Sequence, residues 1–496
     1  MHKKALAGFR GRLLVSFLNR VVPSRLQDFS QLNAHFPSIF KPFSIFLSTF
    51  SQTDTHMLIE FSVKNYRSFK EKQTFSMKAS PYDKDTIDRD NPRPRQIDKL
   101  NLLPAAAIYG ANSSGKSNML SAMGIMRDII MSSVKINATD PLPTDTFALD
   151  EAFIEEPTEF EVIFLMNKKT YRYGFVYTRK EIVKEWLYER TRIKEQELFS
   201  REGSSFSIQK KFEEGEGKKD LTTANRLFLS LVAQLNGEIS KQVINWFQHF
   251  NNISGTFNNN FRDYSIKVLL NNDEKTNASK RFLKQMDLGF SELKPEEQPI
   301  DDNFFPPGLP QKFKEEFIKR HPNEMMRSLK SVHTFQHKDG NTSLKLFDTE
   351  DMESEGTLKI LDLSGPIIST LINGYTLIVD ELDAKLHPFL TKKIINIFNS
   401  RKGNPNNAQL IFATHDTNLL NNEILRRDQI WFAEKERIHE STILKRLSEI
   451  EMSDEGEFRK VRRDRIFEKD YFEKKYGALP EVTEEFDLYE AMGIQD

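Results

Sequence analysis

Cysteine is absent from all 496 residues, which removes disulfides, thiolate nucleophiles and zinc–thiolate sites together and fits a reducing compartment. Long apolar runs are missing too. None approaches the roughly 20 residues that span a bilayer, so an integral membrane protein is disfavoured and a cytoplasmic location is expected. Charge of one sign is not in excess either: Lys+Arg number 71 against 72 Asp+Glu, a net charge of −1. That balance gives no global pull toward nucleic acid or membrane, although a local basic groove can still form. The chain also lacks the sustained heptads of an extended coiled-coil arm and any internal repeat.

What remains is a hydrophobic content of 38%, ample for a folded core in a chain long enough for roughly two to four domain-sized units. Residues 1–56, with Arg10, Arg12, Arg20 and Arg25 and an aromatic-rich stretch over 36–50, read either as a transit peptide or poor secretion signal, or as an extension ahead of a working domain that opens at Met57. A strand-like opening at 57–63 starts a β-rich segment that continues to 179. The alternation predicts a hairpin there, with Phe160, Val162 and Phe164 on one strand and Tyr171, Tyr173 and Phe175 on its partner. Residues 180–330 are charged and carry helical spacing at Leu227, Leu229, Leu231, Val232 and Leu235, which predicts a mostly helical insertion with a loop over 296–305. Residues 331–446 return to the first domain, and 447–496 form a charged tail read as a solvated face.

Within this frame Gly110-Ala111-Asn112-Ser113-Ser114-Gly115-Lys116-Ser117 follows a short apolar run and precedes the helical spacing of Met119, Leu120, Met123, Met126 and Ile129. Strand, glycine loop and helix are the order a phosphate site requires. The two glycines permit a turn that aims backbone N–H groups, including those of Asn112 to Asn118, at phosphates. Lys116 supplies a point charge and Ser117 a hydroxyl for Mg²⁺.

Downstream, the apolar strand 376–379 ends in Asp380 and Glu381, placing one carboxylate to hold Mg²⁺ with Ser117 and the next to act on the attacking water. His415 follows the apolar strand 409–413, where an imidazole can contact the γ-phosphate. Ser354-Glu355-Gly356 opens a helix with Gly365-Pro366 inside it. A helix N-terminus of this kind is an anion site or simply a cap. Because the first loop already surrounds the phosphates of its own chain, this second turn is expected to serve a nucleotide held by a partner, with Asp383 and His387 near the dimer seam.

These residues resemble the ABC-type ATPase heads that include chromosome-maintenance and double-strand-break-repair ATPases. More narrowly, Glu353 to Thr357, Asp380-Glu381-Leu382-Asp383 with Leu386-His387-Pro388, Arg426-Arg427-Asp428-Gln429-Ile430-Trp431-Phe432 and Tyr476-Gly477-Ala478-Leu479-Pro480 are similar to the AAA-type, ABC-like ATPases of bacterial abortive-infection and restriction-linked operons. The resemblance implies an α/β ABC-type head: a P-loop sheet with flanking helices, an antiparallel β-subdomain and an inserted helical domain. It implies ATP and Mg²⁺, a homodimer with composite ATP sites, Ser354-Glu355-Gly356 as signature, Asp383 as D-loop, and a separately encoded nuclease or toxin as effector in anti-phage defence.

Two departures stand out: no glutamine coupling the phosphate loop to the rest of the head is assignable, and the signature lacks its usual second glycine. Only about 80 residues follow His415, short of a nuclease domain with its own core, so no nuclease activity is expected in this chain. The alternative reading is an SMC-like DNA repair or clamping ATPase, against which the absence of arms and of net positive charge argues.

Overall fold

The computed structural model describes residues 56–80, 95–97, 100–190, 194–254, 259–302, 304–305, 308–454, 457–462 and 464–480. The 1–56 extension and the acidic cluster at Glu484-Glu485 therefore lie almost wholly outside the described residues. Two compact units emerge, one formed by Phe257–Ile368 and the other by Gln52–Thr256 with Ser369–Asp496.

In the larger unit the strands in chain order are β1 (His56–Lys64), β2 (Gln73–Ser76), the short β3 (Arg95–Ile97) and β4 (Leu100–Leu102), β5 (Ala105–Tyr109), β6 (Thr158–Met166), β7 (Lys169–Tyr177), β8 (Ile182–Arg190), β9 (Glu195–Glu202) and β10 (Ser205–Ile208). They continue with β11 (Phe250–Ser254) and, after the smaller unit with its β12 (Glu292–Pro299), β13 (Met325–Gln336) and β14 (Thr342–Asp348), with β15 (Thr376–Asp380), β16 (Gln409–Ala413), β17 (Ile430–Lys435) and β18 (Thr442–Arg446).

Six of these form the sheet β11-β15-β16-β5-β17-β18, parallel throughout except at the β17–β18 edge. β5 and β16 are buried along their whole length, which is why both read as unbroken apolar runs. The second sheet, β10-β9-β8-β7-β6-β1-β2, has seven strands, all antiparallel. Its β6–β7 pairing sets Phe160 opposite Phe175 and Phe164 opposite Tyr171, the hairpin expected from alternation.

The helix Lys116–Ser132 buries Met119, Met123, Met126 and Ile129 in a core shared with Phe61, Phe160 and Tyr173 of the antiparallel sheet and Ile108, Ile378 and Ile411 of the parallel one. It is the middle layer between two sheets. Each such aliphatic or aromatic side chain contributes about 1.5–3 kcal/mol on burial, so the phosphate-loop helix is among the most firmly held elements. Gln409, fully buried, links the layers through Leu58 N (2.6 Å), Leu58 O (3.1 Å) and Leu103 O (3.1 Å).

The α/β class matches the expectation, while the insertion differs from it. Residues expected to begin a helical domain at 180 instead form β8, β9 and β10, which extend the antiparallel sheet, and β11, which adds an edge to the parallel one. Charged residues alternating on a half-exposed sheet face, as in β8, where Ile182, Glu185, Leu187 and Glu189 are buried and the residues between them half-buried or exposed, lack the uninterrupted apolar signal of a buried strand. The inserted unit begins at Phe257 and ends at Ile368, is mixed rather than mostly helical, and includes the antiparallel sheet β12-β13-β14. The loop expected over 296–305 begins as the end of β12. Pro366 lies inside the helix Glu355–Asn373; a proline leaves the carbonyl four residues earlier without its donor. Ser265 Oγ fills that role, donating to Asp362 O (2.8 Å) and accepting from Gly365 N (3.0 Å).

The tail also departs from a solvated face. Tyr471, Tyr476 and Ala478 are buried, with Tyr471 stacked on Phe432. Among the described residues no helix is long and apolar enough to cross a membrane.

Candidate functional site

Three adjacent strands of the parallel sheet, β15, β16 and β5, end on the same edge. At roughly 4.8 Å between strands, whatever follows each of them lies within reach of one ligand, and the carboxyl edge of a parallel sheet is the usual binding crevice. After β5 comes Gly110, after β15 Glu381, and after β16 Thr414 and His415.

The phosphate loop turns on backbone conformations that ordinary residues avoid. Gly110 and Gly115 have φ of 155° and 104°, and Ser113 has φ 62°. A Cβ on Gly115 would fall 2.2 Å from Thr442 Oγ1 and 2.9 Å from Ser68 Oγ. Gly115→Ala is therefore expected to cost about 1–3 kcal/mol from the left-handed backbone alone, plus the clash, and to weaken nucleotide binding. Denaturation midpoints and a nucleotide titration read both effects, and wild-type values in both would refute the packing described.

Lys116, 5% exposed, folds its Nζ back to donate to Gly110 O (2.8 Å) and Ala111 O (3.0 Å). Burial pulls its pKa down to about 8 even though Asp380, Glu381 and Asp383 all act to raise it. The three carboxylates and the ammonium thus share one electrostatic site.

Asp380 ends β15 and the chain turns sharply at Glu381, whose φ is 51°. A non-glycine residue in this region is uncommon, and strained positions of this kind cluster at functional sites as well as in turns. Asp380 Oδ1, Asp383 Oδ1 and Ser114 Oγ are buried without a hydrogen-bond partner. Buried oxygens left so are costly, and two carboxylate oxygens and a hydroxyl beside a phosphate loop are the donor set that a hydrated divalent cation and a nucleotide would satisfy. His415 is exposed to solvent, and its backbone N donates to Asp383 Oδ2 (3.4 Å). Desolvation and then Lys116 hold its imidazole below its ordinary value, against the opposing pull of Asp383, Glu381 and Asp380. Tyr109, fully buried at the end of β5, has its hydroxyl pushed well up by burial and by Asp416 and Asp383, and it remains a donor.

Ser354, Glu355 and Gly356 belong to the Phe257–Ile368 unit. There Ser354 Oγ accepts from Thr357 N (3.1 Å) and meets Thr357 Oγ1 at 3.0 Å, an N-cap at an exposed helix start. His387 likewise caps the helix Pro388–Asn399 through Nδ1, which accepts from Phe389 N (3.3 Å).

Sequence reasoning missed Ser68 and Thr442. Thr442 Oγ1 sits 2.8 Å from both Ser114 O and Ser68 Oγ, and Asn118 Nδ2 donates to Ser68 Oγ (2.8 Å). Ser68 belongs to a turn inside the β-rich opening segment, with Asn65 at φ 51° and Arg67 at φ 49°. Beside it a cavity of about 350 Å³ opens between Arg67, Asn118, Asp145 and Leu149, where Arg67 Nε donates to Asp145 Oδ2 (2.6 Å). No local pattern marks Thr442, which reaches the loop only through the tertiary fold.

Residues 105–421 match the model of the family described as "AAA domain, putative AbiEii toxin, Type IV TA system". Among solved structures, the SMC head domain from Thermotoga maritima aligns over 78% of this chain and 98% of its own length at 12% identity and a TM-score of 0.34. The Smc head bound to the C-winged helix domain of ScpA aligns over 79% and 98% at 12% identity and 0.40. The Smc head with an extended coiled coil bound to the C-terminal domain of ScpA, from Pyrococcus furiosus, aligns over 79% and 96% at 11% and 0.33. No curated protein matches the chain significantly.

Proposed function

We propose, because the chain belongs to the family of AAA domains described with the AbiEii toxin of type IV TA systems, that this P-loop ATPase is a dimerising, ATP-hydrolysing switch. In this reading it governs a separately encoded effector in anti-phage defence. The observation that carries it is the gathering of Lys116, Asp380, Glu381, Asp383 and His415 in one electrostatic site at the edge of the parallel sheet.

Lys116 exchanges its bonds to Gly110 O and Ala111 O for phosphate oxygens, and backbone N–H groups of the loop bind the rest of the chain of phosphates. Ser117 and Asp380 are the residues that would hold Mg²⁺, which when bound neutralises charge across the β- and γ-phosphates. Glu381 orients the attacking water and accepts its proton, and His415 donates to the γ-phosphate. Ser354, Glu355 and Gly356 serve the partner's nucleotide, and Asp383 lies at the dimer seam.

Steady-state phosphate release from ATP and Mg²⁺ by the purified chain tests the reading, and absence of release at every protein concentration would sink it. The pH profile adds a check. Burial pulls the Lys116 pKa down to about 8, so kcat/KM, which reports the free enzyme, is expected to fall as pH rises through that value and the ammonium loses its proton; His415, held below its ordinary value, is already neutral there and adds no alkaline limb. His415→Ala should lose much of the rate and keep that alkaline limb; disappearance of the limb in this variant would assign it to His415 and not to Lys116.

A further inference from the structure

The segment past 464 returns to the back of the nucleotide site. Its helix Phe467–Phe472 presents Tyr471, which stacks on Phe432 of β17 (5.4 Å, 20°) and meets Tyr109 edge-on (6.5 Å, 62°). Tyr109 is the residue immediately before Gly110, and its hydroxyl donates to Asp416 O (3.3 Å), the carbonyl just after His415. One residue further, Thr417 Oγ1 donates to Glu468 Oε1 (2.9 Å) on the same C-terminal helix.

The other side of His415 is anchored to the sheet. Thr414 N donates to Ile108 O (3.2 Å), and Thr414 Oγ1 accepts from Asp416 N (3.0 Å). The chain around His415 is therefore held at one end by β5 and at the other by the C-terminal helix. That helix is in turn fixed within its own segment: Asp470 accepts from Lys475 Nζ (3.0 Å) and Tyr476 OH (3.0 Å) and pairs with Arg465, and Tyr471 OH donates to Ala478 O (3.1 Å). A Cβ on Gly477, whose φ is 70°, would fall 2.7 Å from Glu434 Oε1 on β17.

We propose that Glu468 is a positioning residue for His415: through Thr417 it fixes the 415–417 loop so that the imidazole faces the γ-phosphate. The inference rests on the role given to His415 in the proposed function. Glu468 is half-buried and touches neither the phosphate loop nor the carboxylates through any hydrogen bond described; its effect runs through the Thr417 hydroxyl. A charge-assisted hydrogen bond of this kind sets the loop position without touching nucleotide, so its loss should appear in turnover and not in binding.

The experiment compares the full-length wild type with His415→Ala, Glu468→Ala, Glu468→Gln, Thr417→Val, Thr417→Ser and the Glu468→Ala/Thr417→Val double variant. Steady-state kcat and KM for ATP and amide exchange over 414–420 are measured, with melting temperatures as the check on folding. Expected are a fall of about tenfold in kcat with unchanged KM for Glu468→Ala and Thr417→Val, and faster exchange over the loop. Restoration by Glu468→Gln and Thr417→Ser is also expected, as is a double variant no worse than either single one. Wild-type kcat and exchange in Glu468→Ala, additive losses in the double variant, or losses that Gln and Ser do not restore would overturn the proposal. If the wild type hydrolyses ATP and His415→Ala slows it while Glu468→Ala does not, only the positioning role falls. If the wild type does not hydrolyse ATP, the functional reading falls and this role with it.

Discussion

Glu381→Gln is expected to lower kcat by about 10²–10⁴-fold while leaving ATP bound, because the amide keeps the shape of the carboxylate but cannot accept the proton of the attacking water. The residue stands where β15 ends, on a left-handed backbone at φ 51°, and the substitution leaves that conformation to the same set of neighbours. The companion expectation is an ATP-dependent dimer that persists, since hydrolysis is what would release it. Phosphate release, equilibrium binding of labelled ATP and size-exclusion chromatography with ATP separate the three quantities. Wild-type turnover in the variant would move the base to another residue, whereas loss of binding would mean that Glu381 holds nucleotide and does not activate water.

Lys116→Ala is expected to abolish ATP binding at ordinary concentrations while the fold survives. Removing one partner of a buried, hydrogen-bonded charge pair costs about 2–5 kcal/mol, roughly 30-fold to several-thousand-fold in affinity. The fold should tolerate it, because alanine is the best helix former at this first helical position and the Lys116 ammonium is itself held under a burial strain that takes its pKa down to about 8. Calorimetric titration with ATP and a thermal melt without it test the two halves. Binding within a few-fold of wild type would assign the principal phosphate contact elsewhere, and a collapsed melt would make Lys116 a structural residue.

How much of this was legible beforehand differs by element. The phosphate loop, its helix and the ends of β15 and β16 were readable because each is a contiguous signal: glycines where φ must be positive, an apolar run where a strand is buried on both faces, and a polar residue where that strand stops. The hairpin of β6 and β7 was readable from strict alternation. β8 to β10 and β11 were not, because charged residues on a half-exposed strand and a short polar strand such as Phe250–Ser254 lack any period that separates them from helix or loop. The charged tail misled for the same reason, since Tyr471 and Tyr476 are isolated apolar positions among charges and only packing against Phe432 identifies them as core.

The sequence alone carries the chemistry proposed for the site: the roles proposed for meeting phosphates, holding a cation, acting on water and contacting the γ-phosphate are each tied to a residue type at a fixed step along the chain. The tertiary structure alone decided how they converge. It set β16 between β15 and β5, brought Thr442 across 328 positions to the carbonyl of Ser114, and turned the tail back so that Glu468 meets Thr417. Such contacts leave no trace in local pattern because the burial and hydrogen bonds that specify them exist only once distant segments have packed together.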